Sequence, residues 1–221
     1  NVYLTQTPQC FNFNTLYKLS RKNKNKITDE SSLFITNNLK VKFIKGEFLN
    51  KKITYKGDLN INNINYGIGF DVHRLIPGRK LYLGGLKIKS KLGTLGHSDG
   101  DPVLHAITDS ILGACRLGDI GEKFSNKNNK FKNIRSTILL KKIIYEIKNK
   151  GYLINNIDIN IITEKPKINK LKKRMINSIS NLCGISNNSI NIKGKTTEKL
   201  GVIGKEKAVA CEVITSVFKN A

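Results

Sequence analysis

From Tyr66 onwards the chain switches repeatedly between two apolar periods, one of two residues and one of three to four. Strands and helices each bury one face, so an interleaved series of them closes as a layered α/β domain. YGIGFDVH (66–73) reads as a strand with alternating side chains, and LYLGGLKIK (81–89) as a β-hairpin around Gly84-Gly85. In SDGDPVLHAITDSILGACRLG (98–118), Ser98 or Asp99 can cap a helix with Pro102 in its first turn, and Leu104, Ile107, Ile111 and Leu112 follow at helical spacing. A second helix is expected over 134–150, with Ile138, Leu139, Ile143, Ile144 and Ile147 as its buried stripe and Gly151 as its stop. A strand at 153–162 puts Ile157, Ile159 and Ile161 on one face. A third helix over 167–183 buries Leu171, Met175, Ile179 and Leu182 and stops at Gly184. A short strand (190–193) and a final strand (207–218), alternating Val209, Cys211 and Val213, close the series. The expected fold is α/β: a two-layer sandwich of a mixed β-sheet with helices on one face.

Residues 1–64 read differently. They carry 11 Lys+Arg against 4 Asp+Glu, include RKNKNK (21–26) and NINNIN (60–65), and show few apolar periods. SLFI (32–35) and VKFI (41–44) are expected as short strands. The segment lacks the apolar core of a signal peptide and resembles a basic leader or transit-peptide remnant. The division is therefore 1–64 as an N-terminal extension and 65–221 as the α/β domain. Across the chain, 39 Lys+Arg against 16 Asp+Glu leave a net charge of +23, but 33 of these cations are Lys and only 6 are Arg. Specific nucleic-acid forks favour Arg, and the Lys residues are spread rather than clustered, so no nucleic-acid partner is expected. The charge would still attract a polyanionic small molecule. Four separated Cys with no CxxC exclude a disulfide scaffold and a Cys-rich zinc module, and favour a reducing compartment. No window approaches the ~18 uninterrupted apolar residues of a membrane-spanning helix, so no membrane partner is expected.

Three features carry chemistry. Asp71 and His73 stand at i and i+2 on a strand, so both point to one face. His105, in the first turn of the capped helix, makes a third ligand, and two His with one carboxylate form a zinc site with an open fourth position. Asp109, four residues on, is expected to accept the other imidazole N–H of His105 and set its tautomer. In GKTTEKLG (194–201), the hydroxyls of Thr196 and Thr197, the Glu198 carboxylate and the Lys199 ammonium can hold a phosphate and a hard cation together. A Walker A motif is excluded, because position 189 is Ser rather than Gly.

FDVH, HSDGDPVLHAITDSILGA, LGDIGEKF and TTEKLG, in this order, resemble the 2-C-methyl-D-erythritol 2,4-cyclodiphosphate synthase family of the non-mevalonate isoprenoid pathway. The resemblance runs from about Tyr66 to the C-terminus. It implies a homotrimer with active sites between subunits, a cytidine-diphosphate-linked substrate, and release of CMP as the substrate's own 2-phosphate attacks its β-phosphate. It implies Asp71, His73 and His105 as Zn²⁺ ligands and Glu198 as the carboxylate for Mg²⁺ or Mn²⁺. It makes Thr196 a transition-state stabiliser and His97 a phosphate-contacting residue on a mobile loop, with Ser98 on the same phosphate. Asp119, Ile120, Gly121 and Phe124 match the loop around the methylerythritol part. Thr163, Glu164, Lys165, Pro166, Lys167 and Ile168 match the cytidine segment, contributed across the subunit boundary, with Lys195 and Thr197 near the nucleotide phosphates. The chain departs from the family pattern at SNKN (125–128) and in TEKPKIN (163–169), where only the Pro-Lys pair matches well.

The rival reading of the same ligands is a zinc phosphohydrolase using bound water. The weaker rival is a basic nucleic-acid-binding module, which predicts strongly salt-dependent binding. The basic leader, the Lys/Asn/Ile-rich composition and the pathway together lead to the expectation of a non-photosynthetic, apicoplast-like plastid.

Overall fold

The expected alternation of strands and helices is present in the structure, a computed structural model that describes residues 7–23, 29–46, 64–124 and 134–219. The chain divides into two units, Asn1–Ile61 and Asn62–Ala221. In the smaller unit, Asn12 caps α1 (Phe13–Lys22) and Asp29 caps α2 (Glu30–Thr36). SLFI is therefore helix rather than strand. The Asp29 carboxylate accepts the Ser31 N–H at 2.7 Å, and Leu33 and Phe34 are buried, with Phe34 stacked on Phe11. VKFI forms no regular element.

The larger unit contains β1 (Ile64–Pro77), the hairpin β2 (Leu81–Leu83) and β3 (Leu86–Ile88), then β4 (Leu92–Thr94), α3 (Pro102–Ala114) and α4 (Ile120–Lys123). It continues with α5 (Ser136–Asn149), β5 (Tyr152–Ile162), α6 (Lys172–Cys183), β6 (Ile190–Lys195), α7 (Gly201–Gly204) and β7 (Ala208–Lys219). The sheet order is β4-β1-β7-β5-β6. It is mixed: β5 and β6 are parallel, and the other pairs are antiparallel. The third expected helix is split, with a 3-10 turn at Ile168–Lys170 before α6. Ile138, expected in the buried stripe of α5, is exposed. The short edge strand β4 has no period of its own and was not anticipated.

Helices α3, α5 and α6 cover one face of the sheet. Ile157, Ile159, Ile161, Val209, Cys211 and Val213 from that face share a core with Leu104, Ile107, Ile111, Ile143, Ile147 and Met175. Each large apolar side chain buried there contributes about 1.5–3 kcal/mol. The helix α3 lies directly on the backbone of β1. A Cβ at Gly67 would stand 2.0 Å from the Ser110 carbonyl oxygen, and one at Gly69 2.0 Å from that of Ala106. Only glycine admits this approach, and it brings His105 down onto the strand that carries Asp71 and His73. A buried hydrogen bond of 2.6 Å between the Ser110 and Thr215 hydroxyls ties α3 to β7.

Asp101, not Ser98 or Asp99, caps α3. Its carboxylate accepts the N–H groups of Val103 and Leu104 at 3.1 Å, and those of Gly84 and Gly85 at 3.0 and 2.7 Å. Asp101 wins the cap because it alone also satisfies the turn of the hairpin. Ser98 and Asp99 are thereby left for the site.

Candidate active site

Asp71 and His73 lie on the helix-facing side of β1, and His105 lies one turn into α3. Their ligand atoms converge: His105 Nδ1 is 2.9 Å and His73 Nε2 3.0 Å from Asp71 Oδ2, and the two nitrogens are 3.1 Å apart. The outer ring atoms set the tautomers. His73 Nδ1 faces the Leu95 carbonyl at 2.9 Å. A carbonyl only accepts, so the proton is on Nδ1 and the Nε2 lone pair points inward. For His105, Nε2 faces the hydroxyls of Ser136 at 2.9 Å and Ser98 at 3.1 Å, and Nδ1 points inward. With both rings neutral and protonated on their outer nitrogens, two nitrogen lone pairs and a carboxylate oxygen face one point. This donor set fits a divalent cation, and His₂-carboxylate ligation with an open position is a zinc arrangement.

Without a cation the three atoms share protons. Burial favours the neutral acid at Asp71, but hydrogen bonds from His105 and His73 outweigh it and hold the carboxyl far below its ordinary 3.8. Burial opposes the charged His73 ring, yet the hydrogen bond and charge of Asp71 raise it above 6.5. Asp109 does not set the His105 tautomer as expected. Its Oδ1 accepts the Ile120 N–H at 2.7 Å, tying α3 to α4.

A pocket of about 220 Å³ opens over the three ligands, lined also by His97, Ser98, Asp109, Ile120, Gly121, Phe124 and Leu139. The Nε2 of His97 is buried and has no hydrogen-bond partner among the described residues. Of the expected methylerythritol loop, Ile120, Gly121 and Phe124 reach the pocket, whereas Asp119 does not line it. Its carboxylate accepts the Glu122 N–H at 2.8 Å and caps α4, because the chain turns into helix directly after it. SNKN (125–128) lies outside the described residues.

A second pocket, of about 80 Å³, is lined by Thr163, Pro166, Lys167, Ile168, Asn169, Gly194, Lys195 and Thr196. It sits at the carboxyl ends of the parallel strands β5 and β6, where Ile162 pairs with Lys195. Open α/β sheets commonly bind ligands at such strand ends. The Thr196 hydroxyl donates to Glu198 at 2.5 Å, and the Thr197 hydroxyl to the Leu200 carbonyl at 2.8 Å. Glu198 is not among the three clustered ligands; among the described residues only Asp71, His73 and His105 form such a group.

The sequence gives Ser136 no role, Asp99 only that of a possible helix cap, and Glu164 only a place in the cytidine segment. Asp99 and Ser136 contact the His105 environment, and Glu164 accepts the N–H of Thr197 at 3.0 Å, bracing the loop that carries Thr196 and Glu198. Their one signal was to be an acid or a hydroxyl beside an element end, which reads equally well as an ordinary cap.

Residues 64–218 match the profile of the YgbB family, and residues 1–65 that of 2-C-methyl-D-erythritol 4-phosphate cytidylyltransferase. A bifunctional IspD/IspF enzyme of Pelagibacter ubique is 66% identical over all of this chain, which covers 60% of that protein. The 2-C-methyl-D-erythritol 2,4-cyclodiphosphate synthase of Clostridium botulinum is 49% identical over 70% of this chain and 98% of its own length. The structure of Plasmodium falciparum IspF in a CDP complex matches with a TM-score of 0.64 and 41% identity, covering 72% of this chain and 99% of that one. The chain spans about 60% of the length of the bifunctional relative it matches throughout. The expected plastid is overturned. The relatives that match nearly the whole chain are bacterial bifunctional enzymes, and residues 1–65 match an enzyme family, which removes the reason to see a transit peptide there. With its profile match, the convergence of Asp71 and His73 on β1 with His105 on α3, and near full-length coverage of a monofunctional relative, the chain belongs to the YgbB family of 2-C-methyl-D-erythritol 2,4-cyclodiphosphate synthases.

Proposed function

We propose that the larger unit converts 4-diphosphocytidyl-2-C-methyl-D-erythritol 2-phosphate into 2-C-methyl-D-erythritol 2,4-cyclodiphosphate and CMP. The observation that carries this reading is the convergence of Asp71, His73 and His105 beneath a pocket that also holds Ser98 and the unpartnered ring nitrogen of His97. An oxygen of the 2-phosphate attacks the β-phosphorus, and the bond from that phosphorus to the oxygen carried off by CMP breaks. No protein nucleophile is needed; the site must align two phosphates and offset their charge. Zn²⁺ held by Asp71, His73 and His105, with Mg²⁺ or Mn²⁺ at Glu198, would supply that offset and polarise the phosphates.

The protein's own groups do the rest. Ser98 donates its hydroxyl to a phosphate oxygen, and His97 contacts the same group. Ile120, Gly121 and Phe124 wall the methylerythritol part away from water. The Thr196–Glu198 pair and the Lys195 ammonium stand at the nucleotide phosphates, and Thr163, Pro166, Lys167 and Ile168 form the cytidine seat.

The metal pocket and the cytidine pocket are formed by different segments of the chain. The uncovered face of the sheet exposes Tyr66, Ile68, Phe70, Val72 and Ile214, an apolar patch that calls for a partner. We read both facts as a homotrimer in which the metal pocket of one subunit meets the cytidine pocket of the next. Residues 1–65 are read as part of a cytidylyltransferase module, making the whole protein bifunctional.

Phosphorus NMR on the chain with the cytidyl substrate, Zn²⁺ and Mg²⁺ tests the reading. The cyclic diphosphate and CMP are expected, and both are lost in His73→Ala. Incorporation of solvent oxygen into a linear phosphate product would instead identify a hydrolase.

A further inference from the structure

We infer that Ser136, backed by Asp99, is the residue that positions the ligand His105, and that this frees the Ser98 hydroxyl for the substrate. The inference rests on the reading of Asp71, His73 and His105 as metal ligands.

His105 Nε2 has two hydroxyls within reach, Ser136 at 2.9 Å and Ser98 at 3.1 Å. Their other partners differ in kind. The Ser136 hydroxyl hydrogen-bonds to Asp99 Oδ1. A carboxylate only accepts, so the Ser136 proton points at Asp99 and its oxygen is left to accept from His105. The Ser98 oxygen accepts the Gly100 N–H at 3.1 Å, and its own proton has no such fixed acceptor. The direction of the relay is therefore set: His105 Nε2–H donates to Ser136 and Ser136 donates to Asp99, which leaves Nδ1 as the nitrogen that would ligate a metal.

Asp99 is itself clamped. It accepts the Ser136 N–H at 3.1 Å and Arg135 Nε at 2.7 Å, and its side chain is 5% exposed. The Arg135 guanidinium lies 4.3 Å over the Tyr82 ring and donates to the Gly85 carbonyl. The hairpin, the start of α5 and the lead-in to α3 thus meet at one carboxylate. A carboxylate feeding charge through a hydroxyl to a ligating imidazole orients the ring and raises its basicity. Ser98 lines the substrate pocket beside this relay, with its proton available.

The test uses the full chain and zinc alone. Zinc affinity is measured by competition with a chromophoric chelator, and the visible spectrum of the Co²⁺-substituted protein reports the ligand field. Ser136→Ala is expected to lose about 10–100-fold in zinc affinity and to shift the cobalt bands, with the melting temperature of the metal-free protein unchanged. Ser98→Ala is expected to keep wild-type zinc affinity and to raise the KM for the cytidyl substrate. Wild-type affinity in Ser136→Ala, or an equal loss in Ser98→Ala, overturns the inference. Should Ser136→Ala also lower the metal-free melting temperature, Asp99→Asn decides: it keeps the side-chain volume, and wild-type zinc affinity there overturns the relay. His73→Ala separates this from failure of the metal reading, because wild-type zinc affinity in that variant would remove the site itself.

Discussion

Replacing Gly69 by Ala probes the contact on which the site depends. The added Cβ would stand 2.0 Å from the Ala106 carbonyl oxygen and 2.8 Å from the Ser110 nitrogen. Both are backbone atoms of α3 and cannot rotate away. Carbon–oxygen contacts settle near 3.3 Å, so the helix has to move off β1 by about 1.3 Å. His105 precedes Ala106 and moves with it, so its 2.9 Å contact with Asp71 opens to about 4 Å. Overpacking of this kind costs about 3 kcal/mol, which at a slope of about 2 kcal/mol per molar lowers the urea midpoint by about 1.5 M. Zinc affinity should fall at least about tenfold with it. Gly113→Ala is the control on the same helix, because its Cβ would meet nothing closer than 3.8 Å. It should be neutral or stabilise by up to about 1 kcal/mol through helix propensity. Urea unfolding and chelator competition read both quantities. A Gly69→Ala protein with wild-type midpoint and wild-type zinc affinity would refute the claim that strand and helix touch backbone to backbone.

Other expectations follow from single features. Gly194→Ala places a Cβ 2.7 Å from that of Ile168 inside the second pocket, so CDP affinity by calorimetry should drop while zinc loading is unchanged; equal CDP affinity would refute that placement of the cytidine seat. Phe70→Asp puts a charge on the exposed apolar face of β1, and light scattering should show a trimer for the parent chain and a monomer for the variant; a variant of unchanged mass would mean that the proposed face is not an interface. Burial pushes the thiol of Cys115 to about 11 and that of Cys183 to about 12, and raises Cys211 well above 9.0, whereas Cys10 is exposed. At pH 8 a thiol reagent should therefore label Cys10 rapidly and the other three only on unfolding; fast labelling of Cys183 would contradict the packing. In metal-free protein, the raised His73 contributes stability that is fully present below pH 6.5 and lost as pH rises through its folded value, while depressed Asp71 contributes above pH 3.8. Metal binding requires the His73 proton to leave, so zinc affinity should rise with pH over the range in which the metal-free melting temperature falls; parallel trends would refute this sharing of protons.

Much of the fold was legible because apolar period is a local property. The strand at Tyr66–His73, the helix over Leu104–Leu112 and the strand holding Ile157, Ile159 and Ile161 each announce their type within a few residues. The pairing of Asp71 with His73 was legible for the same reason, since neighbours two apart on a strand share a face. SLFI failed because three consecutive apolar residues carry no decisive period, and the Asp29 cap settled it as helix.

The use of the acids in SDGD was not legible. The local reading offers Ser98 or Asp99 as the helix cap, whereas the structure uses Asp101. Which one caps depends on donors brought by distant segments: Gly84 and Gly85 claim Asp101, while Arg135 and Ser136 claim Asp99. Asp109 failed in the same way, because Ile120 claims it, 11 residues on. The sequence by itself thus determined the order of elements and the ligand types that could meet, because both follow from local period and side-chain chemistry. The tertiary structure alone decided which acceptor serves which donor, how deep α3 sits on β1, and which residues line each of the two pockets. Those outcomes are competitions among groups far apart in the chain, and only packing settles them.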